Sequence, residues 1–442
     1  MKFYFNLLLS LIFIFISGLT SAQIHPTDSL TVEEAIHMVL ANNPAIQQQI
    51  HLITASKARV DESKSSLYPN AGISLNYARL GPLASINFPG LGNFDMFPAN
   101  NFDEHVGVSA TIYDFDKRQK DIDFANSQVA GYKDRLELVK QDLAYSTAQT
   151  FYTILFLKQS IKVQNEAINT LLEHIALIKK KVEAGTATSF DVLTTKVHLS
   201  SAEEEKINLE NSLANSEINL RQLLGIPSNE IIEPVGEFRE SPVQYNVDSL
   251  INLAMQNRYE IKSANDQIAS EKAHDNVVSA MYNPTINVAA TYGLKNGYIP
   301  NLDAWRGNYM AAVNVDIPLS GVIPYFGGYR EERMHQESSA NIQAADSYKS
   351  DVILKVKTDV QKGISDLRSS MDKFNTTDAA VQQADTALSQ AKIRYEAGTV
   401  TNLDLLDAET SLSQAKLMRL EALYRYVIGR YELLQAIGEK VW

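Results

Sequence analysis

The 442-residue chain is predicted to be mainly α-helical: two tandem copies of a long coiled-coil unit, each carrying a β portion of membrane-barrel character. Three observations predict this. The stretch Glu183-Ala-Gly-Thr-Ala-Thr-Ser-Phe-Asp-Val-Leu193 returns as Glu396-Ala-Gly-Thr-Val-Thr-Asn-Leu-Asp-Leu-Leu406, 213 positions on, and the match continues without a gap to Gly225 over Gly438. Each half holds a proline-free helical tract of about 65–70 residues, which at 1.5 Å per residue is about 100 Å of helix. Four short runs alternate apolar and polar residues with the period of a strand.

The duplication extends toward the N-terminus, where Asn42, Ile46, Pro69 and Tyr77 fall on Asn257, Ile261, Pro284 and Tyr292. Units of about 200 residues are too long for a solenoid repeat and suggest two pseudo-equivalent parts of a larger assembly. Residues 1–22 read as an export signal: Lys2, the apolar run Leu7–Ile16 and the small residues Thr20-Ser21-Ala22. The run is too short to span a membrane as an anchor. The first repeat is expected over 23–226, a linker over 227–246 and the second repeat over 247–442. The chain has no cysteine, which excludes disulfides, thiolate metal sites and a lipid-modified N-terminal cysteine. A net charge of −12 without a basic stripe argues against a nucleic-acid partner.

In the first half a helix is expected over Leu30–Asn42, opened by a Thr31/Glu34 capping box. Pro44 marks a break, a second helix reaches about Leu67, and long helices follow over about Lys117–Val182 and Ser189–Leu224. The second half repeats the order with Val247–Arg258, Glu260–Met281, Gly328–Glu396 and Asn402–Ala436. Phe374, Val381, Ala384, Leu388, Ala391 and Tyr395 step by sevens, threes and fours. Leu417, Leu420, Tyr424, Val427, Tyr431 and Leu434 do the same. Both are heptad seams.

The strand runs are Ile73–Tyr77, Val106–Ile112, Ile286–Tyr292 and Tyr309–Ile317. Apolar residues hold one face; Ser74, Asn76, Ser109, Thr111, Asn287, Thr291, Asn314 and Asp316 hold the other. This is the apolar-out, polar-in pattern of a membrane barrel, although a half-buried antiparallel strand alternates in the same way. Loops over Leu80–Asp103 and Lys295–Gly307 join the strands of each half. Four strands cannot close a membrane barrel, for which about eight is the floor. Strands facing lipid would therefore have to be pooled between several copies.

With this order of elements and the motif Tyr395-Glu-Ala-Gly398 … Asp404-Leu-Leu-Asp407, the mature chain resembles the TolC-type outer-membrane efflux proteins over essentially its whole length. The resemblance implies a homotrimer in outer-membrane lipid, with a 12-stranded β-barrel standing on a periplasmic tunnel of α-helices. It implies an exit duct of a tripartite efflux or type I secretion system, docking a periplasmic adaptor and an inner-membrane transporter. The turns Ala184-Gly185-Thr186 and Ala397-Gly398-Thr399 would be the adaptor-docking tips; each glycine also suits a helix C-cap. Asp404 and Asp407 share a helix face and would form carboxylate rings at a pore constriction, with Asp191 a further candidate. Thr401–Asp404 and Thr188–Asp191 also read as capping boxes. The arginine that family members carry two residues after the tip glycine is Val400 here, and Ala187 in the first half. That removes one expected salt-bridge latch.

No catalytic or metal-ligand spacing is present and no cofactor is expected; the eight histidines are scattered, and Glu203-Glu204-Glu205 reads as a solvated helix face. The chain is therefore not expected to be an enzyme. The alternative to a duct is a periplasmic or surface coiled-coil scaffold without channel activity, its strands forming a soluble domain.

Overall fold

A computed structural model describes residues 29–90, 92–227, 231–238, 246–319, 323, 325 and 329–442. The export signal, part of the linker and the Phe326–Gly328 turn, with the expected helix start at Gly328, lie outside the described residues.

The first half opens with α1 (Val32–Asn42) and α2 (Pro44–Ser65). Thr31 and Glu34 form the capping box at the start of α1. Asn43 then makes the break between the two helices. Its side-chain oxygen caps the Ala45 N–H at 2.9 Å, and its amide donates to the Leu223 carbonyl at 2.8 Å. Pro44 sits in the first helical turn, where its missing N–H costs nothing. Strands β1 (Asn70–Arg79), β2 (Ser85–Phe88), β3 (Gly92–Asp95) and β4 (Asn100–Tyr113) follow, then α3 (Lys117–Glu183) and α4 (Ser189–Leu224). The second half runs α5 (Val247–Asn257), α6 (Tyr259–Ala280), β5 (Thr285–Lys295), β6 (Arg306–Asp316), α7 (Arg330–Glu396) and α8 (Asn402–Ala436). Helices α3 and α7 each hold 67 residues, as the proline-free tracts led one to expect. Among the described residues no helix is long and apolar enough to cross a membrane.

Two features differ from the sequence reading. The loop after β1 carries a short hairpin of its own, β2 paired with β3, hidden in the sequence by its Gly, Pro and Asn content. Strand β4 starts at Asn100, earlier than the alternation of Val106–Ile112 suggested, because Asn100–His105, polar except for Phe102, continue the ladder.

One antiparallel sheet runs β1-β4-β5-β6, so the strands of the two halves are joined at β4–β5. Its register aligns Ile73, Val106, Tyr292 and Tyr309 in one row across all four strands. Ala290, Val288 and Ile286 lie opposite Ala311, Val313 and Val315 on the same face. Among the described residues nothing covers this face: Ile73 is 75% exposed, Tyr309 85% and Val313 70%. The other face carries the row Asn76, Asp103, Lys295 and Arg306, with a Lys295–Asp103 ion pair at 3.2 Å. Aromatic residues flank the apolar band at both ends. Tyr77, Phe102 and Trp305 stack at the loop end with centroids 5.0 Å apart, and Tyr113 meets Phe115 at the helix end. Aromatic girdles of this kind mark the two interfaces of membrane barrels. Glu104 shares a row with Leu75 and Leu294, and like Arg79 on β1 it lies toward the loop end.

The helices pack in two similar sets. Val32, Ile36 and Val39 of α1 meet Phe151, Ile154, Leu220 and Leu224 of α3 and α4. Ala254 and Ile261 meet Val352, Val356, Val360, Leu433 and Ala436 in the second half. The duplicated glycines do the same work twice. Gly225, with φ +68°, lies so close to Asn42 that a Cβ would stand 3.2 Å from its carbonyl oxygen. At Gly438, with φ +73°, it would stand 2.8 Å from backbone atoms of Asn257 and Arg258.

At the β4–β5 seam, a Cβ added to Gly293 would fall 2.0 Å from the Glu104 carbonyl oxygen, whereas one at Gly72 would meet open space. Gly293→Ala is expected to lose about 2–3 kcal/mol by overpacking. Its thermal midpoint in detergent should drop by several degrees while Gly72→Ala stays at the wild-type value; equal midpoints would contradict the seam geometry.

Candidate functional site

Both helical hairpins end in the same turn. Ala184 closes α3, Gly185 takes φ +73°, and the Thr186 N–H reaches back to the Lys181 carbonyl at 2.8 Å. At the other tip Ala397 closes α7, Gly398 takes φ +74°, and the Thr399 N–H reaches the Arg394 carbonyl at 2.9 Å. This six-to-one bond with a left-handed glycine satisfies the last carbonyls of each helix. A Cβ at either glycine would meet nothing within 4 Å, so the turns present open surface.

Each following helix opens with a full capping box. Asp191 accepts from the Thr188 N–H at 2.8 Å and hydroxyl at 2.7 Å, and Asp404 accepts from Thr401 in the same way, both at 2.7 Å. The hydrogen bonds from Thr401 hold the Asp404 carboxyl below its ordinary range. Asp407, one turn further on, is exposed on the same side as Asp404, and its carbonyl accepts from the Ser411 hydroxyl.

Val400 and Ala187, at the position of the missing arginine, turn inward. Both pack against a cluster of Ile178, Leu388, Tyr395, Leu405 and Leu412. Val400 precedes the N-cap Thr401 and Leu405 lies four residues into the helix, the spacing of a hydrophobic staple. At the tip the latch position is thus filled by apolar packing.

Polar links that the sequence reading missed tie the two hairpins together beside this cluster. Lys181 of α3 donates to the Tyr395 carbonyl at 2.6 Å and stands 4.4 Å over the Tyr395 ring. Asn402, at the start of α8, donates to the Thr195 hydroxyl and the Asp191 carbonyl of α4, at 3.3 and 3.4 Å. Burial, with the Asp191 and Glu409 charges beside it, pushes the Tyr395 hydroxyl up. Further along, His174 Nδ1 of α3 meets Glu409 Oε2 of α8 at 3.1 Å, with the two side chains 2% and 6% exposed. The signal for this pair was present in the pattern. His174 stands between Leu171 and Ile178, and Glu409 between Leu405 and Leu412, both at seam spacing where a heptad wants an apolar residue.

The sequence matches the outer membrane efflux protein family over residues 35–226 and 250–439. The outer membrane protein TolC of Vibrio cholerae is 24% identical over 420 residues, covering 92% of this chain and 90% of that protein. Protein CyaE of Bordetella pertussis is 22% identical over 414 residues, covering 93% and 85%. The CmeC outer membrane channel of Campylobacter jejuni has a similar fold, with a TM-score of 0.79 at 15% identity over 92% of this chain and 85% of that one. VceC of Vibrio cholerae superposes with a TM-score of 0.77 at 18% identity, over 93% and 97%. With nearly all of both helical units matched, this chain is a member of the outer membrane efflux protein family.

Proposed function

We propose that three copies of this chain form the exit duct of an efflux or secretion system, one end in the outer membrane and the other docked to a periplasmic adaptor and an inner-membrane transporter. The observation that carries this is the sheet. Among the described residues it has two edges, β1 and β6, each paired on one side only, and an apolar face that nothing covers. In lipid each unpaired backbone group costs several kcal/mol, so the edges must be joined. Two copies would give eight strands, whose interior is filled by side chains; three give twelve and leave a bore. The face with Asp103, Lys295 and Arg306 then lines the bore, and the row from Ile73 to Tyr309 faces lipid.

The same reading brings the tips together at the far end of the helices. Ala184, Gly185 and Thr186, with Ala397, Gly398 and Thr399, offer a small-residue surface on which an adaptor's helical hairpin can approach closely. Asp407 supplies a carboxylate from each copy at the narrow end, joined by Asp404 and, in the first hairpin, Asp191. The chain acts as a conduit and not as an enzyme; the choice among drugs, metals and proteins rests with the transporter.

Full-length protein exported in a Gram-negative host should fractionate with the outer membrane, need detergent for extraction, run as a heat-modifiable trimer and conduct ions in planar bilayers. A monomer stable in buffer without detergent would support the scaffold reading instead. Asp407→Ala should lower the cation preference of that channel while leaving amide exchange at Thr401–Leu405 unchanged. Asp404→Ala should speed that exchange because the capping box is lost. The cap stabilises the turn at neutral pH and is lost as acid protonates Asp404 below the ordinary carboxylate range. Unchanged ion selectivity in the Asp404→Ala/Asp407→Ala double variant would remove the ring from the mechanism.

A further inference from the structure

We propose that His174 and Glu409 form a proton-sensitive latch that docks the first helical hairpin on the second near the narrow end of the duct. The proposal deepens the exit-duct reading and rests on it. The pair joins residues 235 positions apart, His174 from α3 and Glu409 from α8. Helix α8 touches α3 along its length, and this contact holds the two hairpins side by side within one copy. The pair lies at the edge of the apolar cluster of Ile178, Leu388, Tyr395, Leu405 and Leu412. The Tyr395 ring stands edge-on to the imidazole with centroids 5.5 Å apart, and His174 Nε2 has no hydrogen-bond partner among the described residues.

Burial makes the proton count matter. With one proton between them beyond the neutral imidazole and the carboxylate, the pair carries no net charge: an ion pair, or a neutral imidazole facing a carboxylic acid. Without that proton a carboxylate stays buried against a neutral ring; with one more, an imidazolium is buried against an acid. Both are costly in an apolar setting and both are relieved if α8 moves off α3 and water enters. Losing the shared proton as pH rises leaves the buried carboxylate without its partner charge, and the contact should loosen. The groups around the pair do not replace its charge. Tyr395 of α7 is uncharged and held so by burial. Lys181 of α3 is turned to the Tyr395 carbonyl. On α4, Asp191 is engaged by Thr188, and His198 lines the cleft beside Glu409 together with Glu205. Lys416 of α8, in the same cleft, is paired with Glu166 of α3 at 2.9 Å.

The two halves differ at this point. By the 213-residue offset, His174 corresponds to Ala387 and Glu409 to Lys196, so the duplicated position on α7 and α4 carries no such pair. The latch acts at one of the two kinds of hairpin junction and leaves the other free.

Conductance of the purified trimer in planar bilayers, recorded from pH 5 to pH 8, tests this. The wild type should open further as pH rises. Glu409→Ala should raise the open fraction about tenfold at pH 5, the shift expected when a buried hydrogen bond to a charged group is lost. Glu409→Gln, which keeps a hydrogen bond without the charge, should stay closed and lose the pH dependence. A pH profile shared by the wild type and Glu409→Gln would overturn the latch. Because the chain has no cysteine, spin labels at Glu173→Cys and Thr410→Cys report the separation of α3 and α8 in detergent without any need for conduction. A separation that grows with pH in the wild type but not in Glu409→Gln supports the latch; a separation unmoved by pH or by Glu409→Ala overturns it. A wild-type trimer that never conducts, with labels that still respond, would instead overturn the duct.

Discussion

A peptide group in hydrocarbon has no water to bond with, and that constraint shapes this molecule. Four strands satisfy one another through the middle of the sheet but leave the outer edges of β1 and β6 unpaired. A soluble protein would blunt such edges with charge, or cover the apolar face with a helix. Here the long helices leave the sheet at its end instead of folding back over it, and the apolar row from Ile73 to Tyr309 stays bare. The junction is built to hold that direction. Arg118 at the start of α3 donates to the Ser66 and Thr111 carbonyls, and Lys117 donates to the carbonyl of Met281. Chain ends of both strand pairs are thereby tied to the first turn of one helix.

Duplication supplies the second constraint. One packing solution serves both halves: a left-handed glycine, Gly225 or Gly438, closes a long helix against the end of a short one at Asn42 or Asn257. The residue that follows takes the same part in both, with Asn43 donating to the Leu223 carbonyl and Arg258 to that of Gln435. Chemistry has diverged while geometry has not. Arg258 reaches further than asparagine can and pairs with Glu260 and Asp359 as well. A tube made of such near-repeats can be almost uniform in shape and still carry unlike polar links at alternate junctions.

Local rules made much of this legible. Thr31, Thr188 and Thr401 each sit three residues before an acid, and all three boxes form because that signal needs no partner beyond one turn of helix. The strand alternation was equally plain, since one uncovered apolar face forces a period of two. The β2–β3 hairpin was hidden because two four-residue strands in a Gly- and Asn-rich loop have no period to show. His174 and Glu409 each stand at an apolar seam position that the pattern shows, but no local rule specifies that the two meet across the hairpins. The apolar filling of the Val400 and Ala187 positions depends in the same way on tertiary packing, even though the staple spacing of Val400 and Leu405 could be read in advance.

Those two positions also bear on how the tip of the proposed duct would be released. A salt bridge at the turn would concentrate the holding energy in one contact at the end of the tube. With Val400 and Ala187 packed inward, the cross-hairpin polar contacts at this end are spread along the contact, from Asn402 at the turn through Lys181 to the His174–Glu409 pair. Opening must then separate apolar surface at the turn and break buried polar contacts behind it. Hydrophobic contact is non-directional and tolerates a small slide, whereas a buried charged hydrogen bond does not. In the proposed duct the resistance to opening would therefore lie with the polar contacts behind the tip.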